Sequence, residues 1–364
     1  MRKTEIHWWQ IDFGDGAATA VSDAVRARCI SQGSITERFE GEVAEILGAK
    51  HVIATSSGST SILMALIACG VGPGDEVIVP NRTWISTGHA PFLLGAKVVL
   101  CDVEPNRPLI DVQQVKELIS GKTKAVIPVH MNGRASDIPE LKEICDAAGI
   151  FVIEDAAQAF GSRVMDQFIG TQGAIGCFSL SVAKIFSSGQ GGFAVTNSDE
   201  LATKLRSVRT HGVEDVFAPA AWPTPGFNFR YTDIQASIAR TQLAKVPERV
   251  EKLKIIYKLY ADGLSNINGI EVIPVNIEQG EVPIYTEVLV QKREKFVRYL
   301  SELGIESRRF YPNLDRAHYF EAGREDRYPE SKKYGDHGVY LPSGPSQKLD
   351  DINWVIDSII RGKW

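Results

Sequence analysis

Between about residue 50 and residue 197 the chain repeats one pattern: a short apolar run, a polar or glycine-rich break, then a stretch with helical period. The runs are HVIATS at 51–56, EVIVP at 76–80, KVVLCDV at 97–103, KAVIPVH at 124–130, IFVIEDA at 150–156 and a later pair around GCFSL and GFAVTN. Apolar runs without polar alternation belong to strands buried on both faces, and strands alternating with helices are the signature of a parallel sheet with helices over both sides. SILMALIACG and DIPELKEICDAAG supply the helical period between strands. The pattern predicts an α/β fold: a large domain with a mostly parallel seven-stranded sheet flanked by helices.

The flanks extend this reading. Ser34 followed by Glu37 predicts a capping box at the start of ITERFEGEVAEILG, and Thr232 followed by Gln235 predicts another before a long helix. Pro247 should kink or interrupt that helix. VFAPAAWPTPGFNFR is proline-rich and predicts an ordered irregular loop. After about residue 250, PIYTEVLV, REKFVRYLSELG, IESRRFYP and DDINWVIDSIIRG read as strand, helix, strand and closing helix. At 364 residues the chain suits a large domain over 1–248, including N-terminal helices, and a smaller C-terminal α+β domain over 249–364.

Composition removes several classes. A net charge of -5 with interspersed Lys and Arg gives no broad positive field, so no nucleic-acid partner is expected. Cys29, Cys69, Cys101, Cys145 and Cys177 are odd in number and scattered, which predicts buried reduced thiols and no metal site. The start, MRKTEIHWWQIDFGDG, lacks the apolar stretch of a secretory leader, and no later run reaches the roughly 18–20 apolar residues of a spanning helix. A cytoplasmic protein without a membrane partner is expected.

Three segments carry chemistry. TSSGSTS at 55–61 follows a strand and opens a helix, so the hydroxyls of Ser57, Ser59 and Thr60 and the first-turn amides could hold a phosphate, although a plain capped loop reads the same way. Asp155 and Gln158 emerge at the C-terminal end of an apolar strand, where open α/β sheets bind ligands; Asp155 could equally cap a helix. Lys184 stands alone, since no other charged residue lies between Asp166 and Asp199. An ammonium among apolar neighbours is destabilised, which frees the neutral amine as a nucleophile toward carbonyls.

Taken in order, SGSTSI, GPGDEVIVPNRTW, KAVIPVHMNG, VIEDAAQAFG, the Lys184 segment with GQGG, RTHG and GFNFRYTDIQASIARTQL resemble the DegT/DnrJ/EryC1/StrS sugar aminotransferases, a branch of the fold-type I pyridoxal-phosphate enzymes. The resemblance spans about residues 30–320. It implies that the cofactor is pyridoxal 5'-phosphate and that Lys184 forms the Schiff base with its aldehyde and moves the reacting proton. Asp155 would hold the pyridine nitrogen protonated, making the ring an electron sink. Gln158 looks like the partner of the phenolic oxygen, Trp84 like the aromatic stacked on the ring, and Gly58, Ser59 and Ser179 like phosphate ligands. Asn228 resembles a residue supplied by a neighbouring subunit, which implies a homodimer with shared active sites.

His211, Arg230 and Arg308 are the candidates on the substrate side, against bland readings as a helix C-terminal residue and surface charges. The resemblance implies transfer of an amino group from an amino acid, L-glutamate, to a keto sugar, a nucleotide-linked 3- or 4-keto-6-deoxyhexose, in amino-sugar biosynthesis. Alternatives are a dehydratase of the same fold, a transaminase for a non-nucleotide keto substrate, and a non-catalytic relative. The dehydratase branch typically carries histidine at the lysine position, so Lys184 argues against it. Pro312, Asn313, Leu314 and Asp315 depart from the proline-leucine-histidine common in the family, which points to an altered substrate pocket there.

Overall fold

The apolar runs become strands wherever their neighbours can cover both faces, and the helices between them supply that cover. The computed structural model describes residues 5–213, 221–320 and 327–364. In chain order come α1 (Asp15–Arg26), α2 (Ser34–Leu47), β1 (His51–Thr55), α3 (Gly58–Ala68), β2 (Glu76–Pro80), α4 (Ser86–Leu93) and β3 (Lys97–Cys101). They are followed by α5 (Val112–Leu118), β4 (Thr123–Val126), α6 (Ile138–Ala148), β5 (Phe151–Asp155), a hairpin of β6 (Arg163–Val164) and β7 (Gln167–Phe168), then β8 (Ile175–Ser179), β9 (Gly192–Thr196) and α7 (Asp199–Arg209). The seven-stranded sheet has the order β1-β9-β8-β5-β4-β2-β3. Only β9 runs antiparallel to its neighbours, so the C-terminal ends of the other six share one edge.

The chain continues with α8 (Asp233–Leu243), α9 (Val246–Leu264), β10 (Ile270–Val272), β11 (Thr286–Val290), α10 (Arg293–Glu302), β12 (Arg308–Arg309), α11 (Pro329–His337), β13 (Gly338–Leu341) and α12 (Leu349–Arg361). A second, antiparallel sheet has the order β10-β11-β13-β12, with its own core beneath α9, α10 and α12. The expected interruption at Pro247 is present: α8 and α9 are separate helices, with Pro247 in the first turn of α9, where its missing N–H costs nothing. We propose the domain division at 248/249, from which point the chain goes on to build the second sheet. The N-terminal segment also packs into the core under that sheet, because Ile6 forms an isolated bridge with Ile305 and lies in the second core. Of the proline-rich stretch, 216–220 lie outside the described residues, and 221–227 form no helix or strand.

One local expectation is corrected. Ser34 is exposed inside the first turn of α2 and makes no capping bond. The cap comes from Asp233, at the start of α8, whose Oδ1 accepts from the amides of Gly33 and Thr36 (both 2.9 Å) and the Thr36 hydroxyl (2.7 Å). A buried carboxylate with several donors outcompetes an exposed serine in water. Of the second predicted box only the first half forms: the Thr232 hydroxyl accepts from the Gln235 amide, while the Gln235 side chain accepts from the Thr232 hydroxyl (2.9 Å) and donates to the Gln190 carbonyl (3.2 Å).

Replacing Asp233 with Ala strands buried donors and should cost roughly 2–3 kcal/mol in urea unfolding, whereas Ser34→Ala should stay within about 0.5 kcal/mol. A larger loss for Ser34→Ala than for Asp233→Ala would contradict this account of the helix start.

Candidate active site

The shared edge of the first sheet is where β1, β2, β5 and β8 end, and a cavity of about 490 Å³ opens there. That size suits a small molecule. Strand ends converge on it for the usual reason: loops leaving parallel strands diverge to opposite faces and leave a crevice.

β1 leads into the first turn of α3. Ser57 caps the helix by accepting from the Thr60 amide, while the Thr60 hydroxyl accepts from the Ser57 amide (2.9 Å). Two of the three hydroxyls expected to face a ligand are therefore spent on the helix itself. Ser59 lines the cavity, as Ser57 does, and its hydroxyl meets that of Ser86 at 2.8 Å. Gly58 is required by crowding, since a Cβ there would lie 2.8 Å from that of Ser179. Glycine lets the first-turn amides of α3, which have no helical carbonyl behind them, close on the end of β8.

β2 leads into Asn81–Thr87, which crosses the cavity. Trp84 is 53% exposed, with its ring edge-on to Tyr311 at 5.3 Å, so a flat face is left for a ligand to cover. One turn later, the Thr87 hydroxyl donates to Asp155 Oδ2 at 2.8 Å and meets Thr83 at 3.1 Å. Nothing in the local sequence distinguishes Thr87, and sequence reasoning missed it.

Asp155 ends β5. Burial raises the carboxyl pKa, opposed by the Thr87 hydroxyl, the Ala157 amide, Lys184 and His130. Its neighbour Glu154 points to the other face of the strand, as period-two geometry demands. Burial pushes Glu154 up too, but His130 and the amides of Gly173 and Gly170 outweigh it and hold the carboxyl below its usual range. Gln158 also lines the cavity, with Oε1 accepting from the Asn132 amide at 3.0 Å.

Ser179, Ser181 and Lys184 follow from β8. Lys184 is half-buried, and loss of water pushes its amine pKa down to about 8, with Asp155 opposing the shift. The far wall comes from elsewhere in the chain: Trp8, Tyr285, Arg308, Arg309, Tyr311 and Tyr340. Of these Arg308 was a named candidate, and Arg309 stands beside it in the same paired-arginine motif. The Arg308 guanidinium lies over Trp8 at 4.3 Å and pairs with Glu306 at 3.1 Å, so it stands at the rim already partnered.

Three sequence candidates lie off this cavity. Asn228 is exposed and accepts from Arg230 Nε at 2.8 Å. His211 sits just beyond α7 in a left-handed conformation (φ 58°), its amide bonded to the Phe227 carbonyl at 3.0 Å. The expected substrate-recognition stretch, Pro312 to Asp315, also lies off the cavity: Asn313 accepts from the buried Arg82 at 3.2 Å and donates to the Ser331 carbonyl at 2.7 Å. Among the described residues no cluster of three metal ligands occurs, and no described helix is long and apolar enough to cross a membrane.

The GDP-perosamine synthase of Caulobacter vibrioides is 34% identical over 336 residues, covering 90% of each chain. That of Vibrio cholerae is 32% identical over 341 residues, covering 90% of this chain and 91% of its own. The crystal structure of S. venezuelae DesV in complex with a ketimine intermediate superposes with a TM-score of 0.89 at 30% identity, covering 94% of this chain and 93% of that one. The DegT/DnrJ/EryC1/StrS aminotransferase family matches residues 13–360, so with its lysine, its buried acid and its fold this chain belongs to that family of pyridoxal-phosphate-dependent aminotransferases.

Proposed function

We propose that the protein moves an amino group from an amino acid, L-glutamate, to a nucleotide-linked 3- or 4-keto-6-deoxyhexose, working as a cytoplasmic homodimer with shared active sites. The observation that carries the reading is one cavity lined by a desolvated lysine amine, a buried carboxylate and an exposed indole ring. The nucleotide-linked amino-sugar product rests on the names of the Caulobacter and Vibrio relatives.

The residues fit the cofactor. First-turn amides of α3 with the Ser59 and Ser179 hydroxyls suit a phosphate dianion. Trp84 suits the face of an aromatic ring, and Asp155 suits a cationic ring nitrogen, because a buried carboxylate needs a charged donor. Gln158 suits the phenolic oxygen. When bound, pyridoxal phosphate supplies an aldehyde for imine chemistry and a ring that withdraws electrons. Lys184 would supply the amine that holds the aldehyde and, once the donor's own amine has displaced it there, the freed Nζ would take the proton from the donor's α-carbon. Asp155 would keep the proton on the ring nitrogen, with the Thr87 hydroxyl holding the carboxylate in place.

Pairing of chains is supported by exposed apolar side chains close in sequence to the site: Val182 (57%) beside Lys184, and Phe227 (63%) beside Asn228. Covering them with a second copy would remove apolar surface from water and bring Asn228 to a partner's cavity.

Lys184→Ala should lower turnover by at least about 10³-fold with an unchanged circular dichroism spectrum, and Asp155→Ala should do nearly as much damage. Sustained wild-type turnover in either variant would reject its assigned role. Because burial lowers the Lys184 pKa, the neutral amine forms at lower pH than for a free lysine. Capture of pyridoxal phosphate by the cofactor-free protein should therefore accelerate with pH to a plateau with its midpoint near 8, and a midpoint near the ~10.4 of free lysine would contradict a desolvated amine. With the amino form of the cofactor loaded, a panel of keto sugars should show fast absorbance recovery only with nucleotide-linked 6-deoxy members. Equal rates with free sugars would reject the nucleotide assignment.

A further inference from the structure

The loop that carries Lys184 leaves β8 and returns as β9. Its base is closed by its own bonds, Leu180 amide to Gly191 carbonyl (2.9 Å) and Ser188 amide to Leu180 carbonyl (3.0 Å). Around the lysine the pattern changes. The Val182 carbonyl accepts from the indole Nε1 of Trp9 at 3.1 Å, the Ala183 carbonyl from the Tyr285 hydroxyl at 2.6 Å, and the Ile185 carbonyl from Arg249 Nη1 at 3.0 Å. Three carbonyls flanking one side chain are thus held by three side chains distant in sequence: one from the N-terminal segment, one preceding β11 and one from α9.

These anchors are themselves braced. The rings of Trp9 and Tyr285 meet edge-on at 5.4 Å, and Trp8 packs on Tyr285 at 5.6 Å. The N-terminal segment is fastened along its length, with the Trp8 carbonyl bonded to the Ser343 amide (3.0 Å) and the Gln10 carbonyl to the Ser346 amide (3.1 Å). Arg249 also binds the carbonyl of Asp12 at 2.8 Å, which ties the far end of that segment to the loop.

We infer that Trp9, Tyr285 and Arg249 are positioning residues for Lys184: by fixing the peptide groups on either side of it they fix where its Cα stands and hence where Nζ reaches. The inference rests on the reading of Lys184 as the amine that captures the cofactor aldehyde. A lysine side chain has four free rotors, so its reach is reproducible only if its root does not move. A shift of about 1 Å in a reacting group can cost on the order of 10²-fold in rate. It also gives the N-terminal segment a chemical purpose that its sequence does not announce.

The test uses Trp9→Phe and Tyr285→Phe, each of which deletes a donor and keeps an aromatic ring, with Lys184→Ala as control. Amide hydrogen exchange over residues 181–188 of the cofactor-free protein should accelerate about fivefold for each lost bond, the equivalent of ~1 kcal/mol. In the loaded enzyme kcat should fall by about tenfold or more while KM for both substrates stays within about twofold, a split that general destabilisation does not produce. Trp9 is only partly buried, so its variant carries the test if Tyr285→Phe folds poorly. Unchanged exchange and unchanged kcat in Trp9→Phe would overturn the inference. Accelerated exchange with cofactor capture that persists in Lys184→Ala would instead overturn the assignment of Lys184.

Discussion

An amine and a carboxylate held out of water in one cavity oppose each other's burial. Desolvation drives Lys184 toward its neutral form and Asp155 toward protonation, while the charge of each restrains the shift of the other. Asp155 is buried while Lys184 is only half-buried, and the two share no hydrogen bond. The arrangement leaves an unmet need for a ligand that presents an electrophile to the amine and a cation to the carboxylate. Thr87 and the Ala157 amide supply the carboxylate with neutral donors only, which leaves that need in place.

The rest of the fold serves to hold these two groups against each other. Asp155 belongs to the rigid centre of the first sheet, but Lys184 belongs to a loop, and the cavity wall facing both comes from the second sheet and the N-terminal segment. The two sheets are therefore locked together by buried polar ties. Arg134 pairs with Glu287 at 2.5 Å with both side chains almost wholly buried, and Asp102 accepts from the amides of Glu330 and Ser331, capping α11. Arg82 is fully buried, its guanidinium stacked on Phe310 and Tyr311 and bonded to the Tyr311 carbonyl. Because Arg82 lies in the segment that presents Trp84 and Thr87, it ties that segment to Phe310, Tyr311 and Asn313 of the facing wall. Ties of this kind add more to specificity of arrangement than to stability.

The sheet was legible because strands buried on both faces leave short unbroken apolar runs bounded by turn residues, and here they recur at regular intervals with helical stretches between them. Lys184 was legible for the opposite reason: it is a single charge in a long uncharged stretch. What the sequence hid was long-range substitution of one partner for another. Ser34 carried a sound local signal, yet Asp233 performs the capping from about two hundred residues away. The departure at Pro312–Asp315 was visible, but its direction was not; Asn313 bonds to Arg82 and Ser331, off the cavity. Trp8, Trp9 and Tyr285 gave no signal at all, because an aromatic that holds a loop and one that fills a core look alike in a sequence.

The central claim is that Lys184, and no other amine, meets the cofactor aldehyde. It is tested most directly by reducing the loaded enzyme with borohydride and mapping the modified peptide by mass spectrometry. The account predicts one pyridoxyl group per chain, on the peptide containing Lys184; modification of a different lysine, or none, would contradict it.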